Sequence, residues 1–226
     1  MNLTVIAHPS PNFGPRKDGG KPRYIVVHYT AMADAKSALA RLCDPVAEVS
    51  AHYLISKKGD CFQLVDDEMR AWHAGAGSWG NITDMNSNSI GIELDNMGDD
   101  PFSEPLLQNL ECLLRMLMTR WDIPAQNVIA HSDLAPGRKI DPGPHFDWAR
   151  LARQNLAATV TQAKATDPFD TCLAKIGYDI SNRDAALAAF RLRHRPTAAG
   201  PQDAIDHEIA AGMACHFPVD RAPKSA

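Results

Sequence analysis

The stretch Ser89–Trp121, SIGIELDNMGDDPFSEPLLQNLECLLRMLMTRW, decides the fold. Its opening SIGIEL is a short apolar, β-favouring run and reads as a strand with Glu93 at its end. Further on, Leu106, Leu110, Leu113, Leu114 and Leu117 recur at helical spacing and predict a helix over Pro105–Trp121. Ser103 stands where an N-cap is wanted, and Pro105 falls in the first turn, where its missing N–H does no harm. Working outward, Tyr24–Thr30 (YIVVHYT) reads as a second buried strand with His28 near its end, and Ala33–Leu42 as a helix. Ser50–Ser56 and Cys61–Val65 form a predicted hairpin, because Gly59 supplies the positive φ that a tight turn at Lys58-Gly59-Asp60 requires. Val128–His131 is a last strand and Asp147–Gln162 a last helix. Strands interleaved with amphipathic helices predict an α/β or α+β sheet protein.

Either side of this unit the pattern weakens. Residues 1–22 are rich in Pro, Gly, Asn and charge and read as an irregular arm of a unit spanning 1–163. The pattern breaks again over Lys164–Pro168, and residues 168–216 offer three short helical stretches, Phe169–Ile176, Arg183–Arg193 and Ala204–Ala214. Gly177 is placed to end the first and Asn182 to cap the second. So short a helical module is marginal alone and is expected to dock on the first unit. Residues 217–226 read as a disordered tail.

Composition excludes several functions. A net charge of −4 over 226 residues, with no Lys/Arg block, gives no electrostatic footprint for nucleic acid. No apolar run reaches the length of a transmembrane span, and the start MNLTVIAHPS resembles no signal peptide, so a cytoplasmic location is expected. The cysteines, Cys43, Cys61, Cys112, Cys172 and Cys215, are odd in number and scattered, which argues against a disulfide framework or a thiolate zinc knuckle. The sequence does not fix an oligomeric state.

The chemistry concentrates in Val128–Trp148, VIAHSDLAPGRKIDPGPHFDW. His131 ends an apolar run, and Asp141 follows ten positions later across a loop stiffened by Gly and Pro. With His28 at another strand end, these residues make a candidate metal site of two histidines and one carboxylate, with a fourth position open. A lone histidine is more often a hydrogen-bonded core residue, but two with a carboxylate at converging strand ends favour a metal. Imidazole ligands suit zinc better than magnesium or calcium. Glu93 is the candidate general base, because its apolar strand would raise a carboxyl pKa toward the useful range. Lys139 is the candidate electrophile for a developing oxyanion.

The phrases SAHYLI, RAWHAG, SIGIELDN and HSDLAPGRKIDPGPHFDW resemble, in order and spacing, the zinc-dependent N-acetylmuramoyl-L-alanine amidases of the AmpD and AmiD group, relatives of the peptidoglycan recognition proteins. The resemblance spans Tyr24–Leu151. It implies an α/β fold with a mixed central β-sheet flanked by helices, zinc held by His28, His131 and Asp141, and catalysis by Glu93 and Lys139. The implied reaction is hydrolysis of the amide joining the lactyl group of muramic acid, or its 1,6-anhydro form, to L-alanine, in a muropeptide or peptidoglycan fragment. Arg70, His73 and Asn86 match positions lining the substrate groove. Ala51 and Asp141 stand where the phage and recognition-protein branches carry tyrosine and cysteine, which places the burden of base catalysis on Glu93. The segment Ala74–Ile92 contains no Lys or Arg, although a basic residue for the stem peptide is expected there in the cytosolic recycling enzymes. LAKIGYDI and AAFRLRHRP resemble the small helical peptidoglycan-binding domain of the AmiD-type enzymes, an appendage that makes more sense in the periplasm. Two rival readings remain open: a non-catalytic recognition module, and a zinc hydrolase cutting within the stem peptide.

Overall fold

A computed structural model describes residues 3–219. In chain order the elements are β1 (Val5–Ala7), β2 (Phe13–Pro15), β3 (Tyr24–Tyr29), α1 (Ala35–Leu42), β4 (Tyr53–Ile55), β5 (Cys61–Gln63), β6 (Met69–Ala71), α2 (Met85–Asn88) and β7 (Ser89–Leu94). They continue with α3 (Glu104–Trp121), β8 (Val128–Ala130), α4 (His131–Leu134), α5 (Trp148–Ala152), α6 (Phe169–Ile176), α7 (Arg183–His194) and α8 (Ala204–His216). One six-stranded sheet runs in the order β1-β5-β4-β7-β3-β8, and β2 pairs with β6 in a small antiparallel ribbon. Only β4 and β5 are antiparallel in the main sheet, so it is mixed, and helices cover both faces.

The centre of the sheet follows from sequence. β3 and β7 are almost wholly buried and apolar, as strands covered on both sides are. They run parallel from Tyr24 opposite Ser89 to Tyr29 opposite Leu94. Alternation along each strand then sorts the side chains. Ile25, Val27, Ile90, Ile92 and Leu94 meet the leucines of α3, of which Leu106, Leu110, Leu113, Leu114 and Leu117 have no exposed surface. Burial of each such side chain contributes roughly 1.5–3 kcal/mol, so α3 forms the hydrophobic floor of the fold. Ser103 precedes α3 as expected, but its hydroxyl donates to Lys57 O at 2.6 Å and ties the helix start to the β4–β5 turn instead of capping.

The opposite face carries Tyr24, Val26 and Ile129, and these pack against Leu134 of α4 and against Phe169, Leu173, Phe190, Ile209 and Ala210 of α6, α7 and α8. The C-terminal helices therefore share a core with the sheet. Their ends follow the sequence signals: Gly177 closes α6 at φ 130°, and the Asn182 side chain accepts from Ala185 N at the start of α7.

Three expectations need correction. The N-terminal arm is not irregular: β1 extends the main sheet and β2 pairs with β6. It is also locked in place. The Arg16 guanidinium is buried, donating to Asp67 O at 2.7 Å and to Ser87 O and Ser89 O at 3.0 Å, and so pins the entry to β7. The helix expected over 147–162 ends at Ala152, where Asn155 takes a left-handed φ of 57° and Leu156 N turns back to Leu151 O. Asn is among the few residues that adopt that conformation cheaply. Within the expected tail, Val219 N donates to Lys175 O at 3.0 Å and Phe217 packs on the core; residues 220–226 lie outside the described residues.

A buried ion pair joins α7 to α4. Asp133, with no exposed surface, accepts from Arg193 Nη1 at 2.6 Å, from Tyr178 Oη at 2.7 Å and from Ala130 N at 2.8 Å. Arg193 also donates to Val128 O at 2.8 Å and stacks on Trp148, 4.2 Å from the ring centroid. Arg193→Ala would leave a buried carboxylate without its counter-charge, which typically costs about 3–5 kcal/mol. Urea unfolding should show that loss; a change below about 1 kcal/mol would mean that Asp133 does not depend on Arg193 for its charge.

Candidate active site

The in-register pairing of His28 with Glu93 puts both side chains on the face opposite α3, at the C-terminal ends of parallel strands. β8 is paired with β3 one position earlier, Val27 opposite Ala130, so His131 emerges beside His28 as the first residue of α4. The Pro/Gly loop then returns Asp141 to the same point, where Asp141 O accepts from Ser132 N at 3.0 Å. His28 Nδ1 and His131 Nδ1 lie 2.9 Å apart, and Asp141 Oδ2 is 3.0 Å from each. All three residues are buried.

The protons show what such a cluster wants. His131 Nε2 lies 2.9 Å from the Ala74 carbonyl, which can only accept, so Nε2 carries the hydrogen and Nδ1 offers a lone pair. A carboxylate oxygen converging on that lone pair is a second acceptor. Burial lowers the His28 pKa to about 4, so this ring is neutral at physiological pH, as a metal ligand must be. A cluster of neutral imidazole and carboxylate donors fits a zinc ion.

Glu93 and Lys139 border the same cleft, a cavity of about 610 Å³ that also contains the three candidate ligands. Glu93 Oε2 is buried and has no hydrogen-bond partner among the described residues. Burial, followed by repulsion from Asp141, raises the Glu93 pKa well above the ordinary carboxylate value, and the nearby Lys139 charge offsets part of this. A carboxyl group with one such oxygen and raised proton affinity, bordering a cavity, has the properties wanted of a general base.

The three predicted groove residues line an adjoining cleft that shares His131 and Lys139 with the first. Arg70 Nη2 is 3.4 Å from Asp84 Oδ1. Asn86 Oδ1 accepts from His73 N at 3.0 Å and Ala74 N at 2.8 Å, fixing the loop that carries both. The His73 ring lies over Gly91 of β7, where a Cβ would come within 2.4 Å of its Cγ, so only glycine leaves room. Sequence reasoning missed Arg138, whose Nη2 donates to Ala74 O at 2.7 Å and to Ala76 O, and which supplies beside this loop the positive charge that Ala74–Ile92 lacks. Its place directly before Lys139 was the available signal. The Ala74 carbonyl, a backbone atom, offered none.

Residues 18–144 match the Amidase_2 family, described as N-acetylmuramoyl-L-alanine amidase. The chain belongs to that family. Along most of its length the amidase is 35% identical to N-acetylmuramoyl-L-alanine amidase AmiD of Escherichia coli (strain K12), the match covering 84% of this chain and 82% of that protein. It is also 35% identical to 1,6-anhydro-N-acetylmuramyl-L-alanine amidase AmpD of Citrobacter freundii, over 63% of this chain and 86% of that one. The structure of E. coli AmiD in complex with the substrate anhydro-N-acetylmuramic acid-L-Ala-D-gamma-Glu-L-Lys superposes with a TM-score of 0.78 at 34% identity, covering 89% of this chain and 93% of that chain. AmpDh3 of Pseudomonas aeruginosa superposes with a TM-score of 0.77 at 29% identity, covering 88% of the amidase and 94% of that chain. No helix among the described residues is long and apolar enough to cross a membrane.

Proposed function

We propose that the amidase is zinc-dependent and cleaves the bond between N-acetylmuramic acid, its 1,6-anhydro form included, and the L-alanine of a muropeptide stem. The observation that carries this reading is the convergence of His28 Nδ1, His131 Nδ1 and Asp141 Oδ2 within 3.0 Å of one another, in a cleft bordered by Glu93, whose Oε2 has no partner among the described residues. The anhydromuropeptide bound by AmiD supports the substrate class.

His28, His131 and Asp141 would hold the metal. When bound, zinc supplies Lewis acidity, polarising an amide carbonyl and making water acidic enough to lose a proton near neutrality. Glu93 takes the proton of the attacking water on its unpaired oxygen and passes it to the departing amine of L-alanine. Lys139 presents its ammonium to the charge that develops on the carbonyl oxygen, a preorganised contact that strengthens as the reaction proceeds. Arg138, held against Ala74 O and Ala76 O, keeps positive charge beside the groove for the carboxylates of the stem peptide. We assign α6–α8 first to covering the sheet; a wall-binding role for this module rests on its sequence resemblance.

Mass spectrometry of an anhydromuropeptide digested by the zinc-loaded protein tests the reading. Free anhydro-N-acetylmuramic acid and an intact L-Ala-containing peptide are expected. Fragments cut inside the stem would point to the stem-peptide hydrolase, and binding without turnover to the recognition module.

A further inference from the structure

The edge of His28 that faces away from the ligand cluster is also engaged. His28 Nε2 lies 2.9 Å from His73 Nδ1, and the other nitrogen of His73 lies 3.2 Å from Ser89 Oγ. A hydroxyl owns one proton, and Ser89 donates its own to Met85 O at 2.5 Å. Ser89 Oγ can then only accept from His73, so His73 carries its hydrogen on Nε2. A neutral imidazole has a single N–H, which leaves His73 Nδ1 as an acceptor toward His28. His28 must therefore be protonated on Nε2, and the lone pair of its Nδ1 is the one turned toward His131 and Asp141.

We propose that His73, backed by Ser89, is a positioning residue that sets the tautomer and ring orientation of His28 for the metal. Together with the Ala74 carbonyl, which fixes His131 in the same sense, it makes one short loop responsible for the proton placement of both histidine ligands. Three features hold that loop to the task. The Asn86 side chain accepts from the backbone of both His73 and Ala74; Gly91 leaves the space in which the His73 ring lies; and Arg16 fixes Ser89 through its carbonyl. Partners of this kind raise ligand basicity and restrict the ligand ring, and their loss commonly costs 10–100-fold in metal affinity. The inference rests on the zinc reading and gives His73 a duty beyond lining the groove.

The test uses the full chain. Zinc affinity is measured by competition with a chromophoric chelator for the wild type, His73→Leu, His73→Asn and Ser89→Ala. His73→Leu removes the acceptor and should bind zinc about 10–100-fold more weakly. His73→Asn keeps an acceptor near the Nδ1 position and should recover much of the loss, which a merely space-filling role would not allow. Ser89→Ala, which frees His73 to take either tautomer, should fall between them. Long-range ¹⁵N–¹H spectra of the wild type, with and without zinc, should show His73 and His28 protonated on Nε2. His73→Leu and wild-type proteins within threefold of each other in zinc affinity, or a His73 hydrogen on Nδ1, overturns the proposal. If the wild type binds no zinc, the zinc reading fails by itself, and the zinc-free spectrum still decides the tautomer of His73.

Discussion

Glu93→Gln is expected to reduce kcat about 10²- to 10⁴-fold, the usual contribution of a positioned proton carrier, while zinc affinity stays within a few-fold of the wild type. The residue stands in register with His28, shares its face of the sheet, and has an oxygen with no partner among the described residues. Activity within tenfold of the wild type would remove Glu93 from proton transfer. The same variant should be more stable than the wild type in the zinc-free protein at neutral pH. The folded carboxyl has a raised pKa, so between the unfolded value near 4.5 and the folded value the native state binds more protons than the unfolded state. Stability then falls as pH rises through that window, and the cost is complete above the folded pKa. Glutamine carries no charge to desolvate. The gap in Tm between variant and wild type should therefore open as pH rises above 4.5 and close toward pH 4. A gap independent of pH would assign the gain to packing.

Removal of zinc should abolish turnover, by about 10³-fold or more if the metal supplies several kcal/mol of charge stabilisation. One equivalent of zinc should restore it. His131→Ala should prevent that restoration, since it removes a donor whose orientation both the strand end and Ala74 O have already set. Zinc in excess should also raise the wild-type Tm, because a ligand that binds only the folded state stabilises it by about 4 kcal/mol at 1,000 times Kd; the His131→Ala protein should show no such rise. Full activity in protein shown to be metal-free by elemental analysis would end the zinc reading and leave Glu93 and Lys139 to account for hydrolysis.

Much of the candidate site was legible because it stands on long, regular elements. YIVVH and SIGIE each place their polar residue fifth in a buried strand, and parallel pairing in register brings His28 opposite Glu93. The Pro/Gly loop after His131 restricts where Asp141 can go. The central strands and α3 were readable for the same reason: their apolar periodicity is sustained over several turns or residues. β1 and β2 are three residues each, too short for alternation to register, and they are held by pairing partners remote in sequence. The early end of the helix after Asp147 turns on one left-handed Asn155 in a stretch whose apolar spacing continues beyond it. The proton chain behind His28 was beyond reach because its decisive groups are the Met85 carbonyl, one hydroxyl and a missing Cβ at Gly91, none of which leaves a periodic mark.

The Arg193–Asp133 pair lies only two residues from His131. Chain boundaries suggest that the last three helices could be cut away to leave a smaller enzyme, but the cut would be an excision from the interior. It would expose Tyr24, Val26 and Ile129 to water, and it would take from Asp133 both its cation and the Tyr178 hydroxyl, at the start of the very turn that aims His131. A version of this enzyme without those helices would need the apolar face of its sheet resurfaced before its chemistry could be judged.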